Sequence, residues 1–331
     1  MELTTVTDDS AVFHDHEEQI CIDGLEPDTH YALHGIGFRT LPRPGELLCR
    51  FATVNDVHFG ELTCGVIDGT DIGPTFSVEE GDDPYPEFMN RGAVAEIAEM
   101  DPHVVVAKGD LTARGTDAEY QRFLDVYGSV FGDSLVHVRG NHDAYHGESF
   151  ADFATQEVAL PGVTLAVLDT ARLERVNGSI DAAQLDWLDE LAARADGAVM
   201  VFGHHNIWNP ETDVRSDTFF GIRPDDSEGL FEVMARRPNV VGYFAGHTHR
   251  NQCQRFAAGG GRPFVEVACV KDYPGAWAEY RVFDGGILQV HRRIATPEAL
   301  SWTERTRHMY AGLYADYAFG RLDDRCFMVT P

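Results

Sequence analysis

From about residue 47 the chain alternates short apolar runs with longer amphipathic stretches. Apolar runs at 48–54, 103–108, 135–139, 163–168, 198–203 and 239–244 predict strands. Between them, helical periodicity covers about 86–100, 116–128, 181–195 and 225–236. Asp181 followed by Gln184 is a capping signal that dates the third of these helices to its first turn. After Ala257 the pattern is strand only, at 263–270, 276–283 and 286–294, with Asp284-Gly285-Gly286 as a hairpin turn. Strand–helix alternation of this kind argues for an α/β layered domain.

The first 45 residues read differently. Residues 1–15 are polar and are expected to fray. Ile20 to Leu25 alternates like a strand, Glu26 to Tyr31 turns, and a second strand runs from Tyr31 to Arg39. The stretch from Gly24 to Tyr31, with Pro27 and Thr29, resembles the tyrosine corner of fibronectin type III and related sandwiches. A complete sandwich needs about 100 residues, so 1–45 is expected to be a small β appendage, with Leu41 to Gly45 as its linker. The main domain is then 46–295. Residues 296–331 form a tail whose Trp302, Tyr310, Tyr314, Tyr317 and Phe319 can pack on the domain or on a partner subunit. The Gly-, Asp- and Pro-rich segment 60–85 is either a substrate-facing flap or a surface insertion.

Charge narrows the function classes. Against 26 Lys plus Arg stand 54 Asp plus Glu, a formal net charge of -28. That disfavours a nucleic-acid polymer and an anionic membrane surface as partners, yet permits a small phosphorylated substrate if bound cations reverse the local field. The six cysteines form no CxxC pair and read as buried, reduced thiols. No segment has the length and apolarity of a membrane span, and Met1 to Ser10 lacks the features of a secretory signal, so the expected location is the cytoplasm.

Five polar clusters close predicted strands: Asp56-Val57-His58, Gly109-Asp110, Gly140-Asn141-His142-Asp143, Gly203-His204-His205 and Gly246-His247-Thr248-His249. Ligands of open α/β sheets bind at the carboxyl ends of strands, where these clusters would converge. Asp56 and His58, two apart in extended chain, can face one ion, and the His247/His249 pair suits a metal equally well. Each cluster alone has a plain alternative as a turn or a satisfied histidine. Their combination does not.

In this order the motifs resemble the calcineurin-like metallophosphoesterase superfamily, and within it the bacterial class III cyclic-nucleotide and glycerophosphodiester phosphodiesterases. The resemblance implies a two-sheet β-sandwich flanked by helices. It also implies one ion on Asp56, His58 and His249, a second on Asn141, His204 and His247, and Asp110 bridging them. Purple acid phosphatases carry a Tyr shortly after the bridging Asp; here Leu111-Thr112-Ala113 follows, and Asn206 stands where many relatives have Pro. His142 is expected to act on the phosphoryl group or leaving oxygen, Asp143 to orient it, and His205 to line the substrate pocket. The donors suit Mn, Fe, Zn or Co. Two ions about 3.5–4 Å apart can hold a bridging hydroxide for in-line attack on phosphorus. The expected activity is hydrolysis of a small phosphodiester. A phosphomonoesterase or protein phosphatase, a catalytically weak metal-binding scaffold, and a homo-oligomeric state stay open at this point.

Overall fold

The protein is described by a computed structural model that covers residues 1–67, 69–147 and 150–330. Its centre is a pair of six-stranded sheets. The first runs in spatial order Leu135–Val138, Val105–Lys108, Leu47–Val54, Ala276–Phe283, Gly286–Arg293 and Phe327–Val329. The second runs Thr155–Leu160, Val163–Leu168, Ala198–Phe202, Val240–Ala245, Pro263–Glu266 and Gln252–Arg255.

Period-two alternation sorts the side chains of each strand into two layers. Phe51, Val106, Val138, Leu165, Val167, Met200, Phe202, Phe244 and Tyr280 form the core between the sheets. The opposite face of the first sheet, with Ala52, Val54, Val105 and Ala107, packs on Tyr85, Met89, Ala93 and Ile97 of the helix Tyr85–Glu99. The outer face of the second sheet, with Ala166, Leu168, Val199 and Val201, packs on Leu188 and Leu191 of Ala182–Arg194 and on Leu230 and Met234 of Pro224–Arg236. The result is the two-sheet, helix-flanked α/β fold that the sequence motifs imply. At the start of Ala182–Arg194, Asp181 accepts from the Gln184 amide at 2.8 Å and Gln184 accepts from the Asp181 amide at 3.0 Å, the capping box read from sequence.

Leu47–Val54, Val105–Lys108 and Leu135–Val138 are parallel to one another, and so are Val163–Leu168, Ala198–Phe202, Val240–Ala245 and Pro263–Glu266. Parallel strands deliver their following loops to one end of each sheet, which is why the clusters after Val54, Lys108, Val138, Phe202 and Ala245 can meet.

Residues 1–15 differ from the expectation that they fray. Glu2–Val6 and Ser10–Asp15 pair antiparallel and are joined by Glu18–Asp23 in a three-stranded sheet. Leu3, Val6, Ala11 and Phe13 are buried against Phe38 of the hairpin His30–Leu33/Ile36–Arg39. The polar residues in this stretch misled the reading because they are paired: Thr4 bonds His14, and Thr5 donates to the His291 carbonyl of the main sheet. The corner motif is present as well, since the Tyr31 hydroxyl accepts from the Glu26 amide at 2.9 Å. An ion network fastens this unit to the first sheet. Arg281 bonds Asp8, Asp9 and Glu279, Arg43 bonds Asp8 and Asp9, and Glu279 also takes Arg292.

The tail folds back on its own chain through Pro297–Thr306 and Tyr314–Phe319, and Phe327–Val329 pairs with Gly286–Arg293. Trp302 is buried and stacks on Tyr85 with ring centroids 4.5 Å apart. Segment 60–85 carries a short hairpin, Thr63–Cys64 with Phe76–Ser77, that leans on the tail through Arg305 over Phe76 and the Ala311 amide donating to the Gly73 carbonyl. Two edge strands, Thr155–Leu160 and Gln252–Arg255, escaped the sequence reading because polar residues interrupt their apolar pattern.

Replacing the buried Arg281 by Met leaves Asp8 with Arg43 and Glu279 with Arg292, and takes one buried cation out of the network. The expected loss is about 3–5 kcal/mol of folding stability, read as a lowered urea midpoint with an unchanged m-value.

Candidate metal centre

The end of Leu47–Val54 runs directly into Asp56 and His58, and the four other clusters arrive beside it. Five of the residues singled out from sequence, Asp56, His58, Asp110, His247 and His249, take positive backbone φ of 53°, 47°, 49°, 69° and 56°. For side chains with a Cβ this conformation is unfavourable and concentrates at functional sites. Each chain reversal turns a side chain back over the strand end instead of letting it run on into solvent.

Glycines make the convergence sterically feasible. A Cβ built on Gly140 would sit 2.2 Å from Asp110 Oδ1, and one on Gly246 would sit 2.7 Å from Asp56 Oδ2. Both are below any contact a real Cβ makes, so the carboxylates occupy space that only glycine leaves.

The seven candidate ligands then surround one small volume. Asp56, His58 and His249 each present a ligand atom, and these lie within 4.8 Å of one another; the same holds for Asp56, Asp110 and His204, and for His58, Asp110 and His142. Asp110 Oδ2 is 3.4 Å from both His58 Nε2 and His204 Nε2. His249 Nε2 is 3.3 Å from Asp56 Oδ1, and His204 Nε2 is 3.1 Å from Asn141 Oδ1. His247 joins through its ring, 5.0 Å from that of His204.

The outward nitrogens of these histidines are held from behind. His204 Nδ1 meets the Lys108 carbonyl at 2.9 Å, His247 Nε2 meets the Phe220 carbonyl at 2.9 Å, and His58 Nδ1 lies 3.0 Å from Glu61. A metal-ligating imidazole has this arrangement, with one nitrogen fixed by an oxygen acceptor and the other turned inward. Asn141 donates its amide to the Tyr145 hydroxyl at 2.6 Å, which turns its oxygen toward His204. The donor set, two carboxylates, an amide oxygen and four imidazoles, fits divalent cations.

The electrostatics point the same way. Burial would raise the Asp110 pKa, but His204 and His142 hold it well below the usual range, and Asp56 is likewise lowered, against its burial, by His249. Against burial, Glu61 and Asp110 push His58 up to about 10, and Asp110 raises His204 to about 9. Both shifts favour the charged imidazolium beside the buried carboxylates.

Two expectations need correction. Asp143 does not touch the His142 ring. It accepts from the Leu111, Thr112 and Gly140 amides and the Thr112 hydroxyl at 2.6–3.0 Å, and so fastens the Asp110 loop to the Asn141 loop. The His142 ring is oriented by the Ala113 carbonyl, 2.8 Å from Nδ1. His205 does not line the cavity at the centre. It is fully buried, with Nδ1 on Thr170 at 2.8 Å and Nε2 on the Val176 carbonyl at 3.1 Å, and its ring backs that of His247.

Sequence reading missed a buried second ring. Lys271 Nζ lies 2.9 Å from Glu61 and 3.0 Å from Asp272, and Asp272 accepts from the Tyr314 hydroxyl at 2.6 Å and from Cys269 Sγ at 3.0 Å. Glu61 supports His58 while Asp272 and Cys269 stand beside His249, so one buried ammonium ties together the supports of two ligands. No short motif marks these residues; the adjacency of Lys271 and Asp272 in an apolar run was the one available signal.

Residues 49–251 match the calcineurin-like phosphoesterase family. The chain belongs to that family. It is 31% identical over 230 residues to a cAMP/cGMP dual specificity phosphodiesterase of Mycobacterium tuberculosis, covering 66% of each chain. It is 26% identical over 181 residues to a probable cyclic nucleotide phosphodiesterase of Synechococcus, covering 50% of this chain and 68% of the relative. The alignments thus span about two thirds of each relative's length. Among solved structures, a dimetal phosphatase from Danio rerio superposes with a TM-score of 0.56 at 16% identity, covering 75% of this chain and 98% of that one. A purple acid phosphatase from yellow lupin superposes at 0.50 and 14% identity, covering 94% and 61%. These structures share the fold. Family membership makes the chain a metal-dependent phosphoester hydrolase. No helix among the described residues is long and apolar enough to cross a membrane.

Gly140→Ala is expected to displace the Asp110 carboxylate while leaving the sheets intact. A shift of about 1 Å costs about 100-fold in rate, so activity should fall by that order together with bound metal, measured by elemental analysis, with the circular dichroism spectrum unchanged.

Proposed function

We propose that this chain hydrolyses small phosphodiesters at two divalent cations. Asp56, His58 and His249 hold one ion, Asn141, His204 and His247 hold the other, and Asp110 is shared. The observation that carries this reading is the position of Asp110, whose one oxygen is equidistant from His58 and His204, a member of each set. Bound there, the two cations supply an activated water and neutralise charge on the phosphoryl oxygens.

The chain's own groups do the rest. The His142 amide donates to Asp110 Oδ1 at 2.9 Å, and its Nδ1 is held by Ala113, so Nε2 is the nitrogen left to meet a substrate in the adjoining cavity, which His142 lines. Burial lowers the His142 pKa, and the nearby His58 lowers it further while Asp110 opposes. The ring is therefore neutral at pH 7 in the free protein. Arrival of an anionic phosphate favours its protonation, after which Nε2–H can donate to the leaving oxygen.

A diester is preferred to a monoester for a charge reason. Among the described residues lining the cavity there is no Lys or Arg. A monoanionic diester needs no partner beyond the cations, whereas the second charge of a monoester dianion would lack one. The relatives named as cyclic nucleotide phosphodiesterases make cyclic nucleotides the first natural substrates to assay. A polymeric nucleic acid is disfavoured by the net charge of -28.

Three outcomes are expected. With Mn²⁺ or Co²⁺ restored, turnover of bis(p-nitrophenyl) phosphate should exceed that of p-nitrophenyl phosphate; the reverse ratio would make the protein a monoesterase. His142→Ala should lower kcat by about 10²–10⁴-fold with metal content retained, whereas loss of metal would make His142 a ligand. Metal loading at pH 7.5 should release protons from His58 and His204, whose pKa values are raised to about 10 and about 9. Affinity should therefore rise with pH across that range, and calorimetric enthalpies should depend on the ionisation enthalpy of the buffer.

A further inference from the structure

The cavity beside the centre, about 530 Å³, is walled in large part by apolar and aromatic groups. Four separate segments contribute: Ile67 from 60–85, Val176, Phe220, and Leu313 and Tyr317 from the tail. Each of these side chains is substantially exposed, from 42% for Ile67 and 52% for Phe220 to 70% for Leu313. Folding gains little by leaving large apolar groups from four segments facing one opening, and convergent exposed apolar surface of this kind marks a ligand-binding groove. The framework behind them is fixed. Tyr317 donates to the Thr248 carbonyl at 2.9 Å, Tyr314 is held by Asp272, and the Phe220 ring stacks on His247 with centroids 4.0 Å apart. The wall therefore begins at the ligand histidines themselves.

We propose that this wall is the subsite for one ester group of the substrate and that it selects a flat, apolar group the size of an aryl ring or nucleobase over a hydrated one such as glyceryl. The inference rests on the phosphodiesterase reading and goes beyond it by naming which diesters are taken and which residues choose them. The tail and the 60–85 segment act here as specificity elements. Continuity with His247, His249 and His142 in one cavity assigns the wall to substrate, since an ester group on a phosphorus held by the centre would project into that cavity.

The test keeps the leaving group constant. Three diesters with p-nitrophenolate leaving are compared, their retained group being phenyl, methyl or glyceryl, together with calorimetric binding of diphenyl phosphate. The metal-loaded protein should show kcat/KM for the phenyl diester at least 10-fold above that for the glyceryl diester. In Ile67→Ser/Leu313→Ser, two exposed positions, the phenyl preference should shrink about 10-fold and diphenyl phosphate should bind several-fold more weakly. The readout is the ratio of kcat/KM for the phenyl diester to that for the methyl diester, which a uniform loss of activity does not move. Equal use of phenyl and glyceryl diesters, or a preference untouched by the double variant, would overturn the subsite. A change of oligomeric state in the variant with specificity unaltered would assign the wall to a second copy instead. No turnover of any of the three diesters would remove the phosphodiesterase reading and the subsite with it.

Discussion

Two buried carboxylates, Asp56 and Asp110, set the terms for the rest of the molecule. Among the described residues neither is ion-paired with Lys or Arg; their partners are His249, His58 and His204. Burying such charges without a strong counter-charge is costly, and the surroundings are arranged to meet that cost. Parallel strands bring the imidazoles to the same end of the sheets. Glycines clear space for the carboxylate oxygens. Residues in left-handed conformation turn the side chains inward. Behind them, Lys271 sits between Glu61 and Asp272 and offsets one of their two negative charges. Remove the requirement for cations and the local strain has no compensation.

Much of this was legible in sequence because the features obey short-range rules. Strand periodicity located most of the parallel strands to within a residue or two, though the run expected at 263–270 ends as a strand at Glu266, and the five clusters were visible because each follows its strand immediately. What was not legible depends on contacts between distant residues. Residues 1–15 looked solvated because Thr4, Thr5 and Asp8 are polar, yet their partners His14, His291 and Arg281 remove them from water. Asp143 sits beside His142 in sequence, which suggested a local pairing. In the helical turn Asn141–Ala144 neighbouring side chains point apart, and Asp143 reaches back to the Gly140 amide and across to Thr112. His205 follows a ligand, but alternate positions on an extended segment face opposite sides, so it turns into the second sheet's packing instead of the cavity.

The peripheral segments divide along the same line. The N-terminal sheet contacts the first sheet through ion pairs remote from the centre and contributes nothing to the cavity lining. The tail does both structural and site work. Trp302 fills the core beside Tyr85, whereas Tyr310, Leu313, Tyr314 and Tyr317, only a few residues further on, form part of the cavity. Tyr314 joins the two roles, since its ring lines the cavity while its hydroxyl fixes Asp272 in the second ring. Changes in tail length or packing therefore reach the substrate and the ligand supports together.

The overall acidity adds a last constraint. A phosphodiester anion, the substrate proposed above, would approach a chain whose formal charge is -28, through a cavity with no cationic side chain among its described lining residues. The long-range field repels it, and the guanidinium groups of Arg172 and Arg175 line an adjoining hollow that shares Val176 and Phe220 with the cavity. On the proposed reading, attraction comes from cations held by Asp56, Asp110 and the imidazoles, and from desolvation of an apolar ester group against the wall at Phe220 and Leu313. The first acts only at short range in salt, and the second does not depend on charge. Recognition of that kind is weighted toward contact at the site over steering from a distance, which suits a small, weakly charged substrate better than a polyanion.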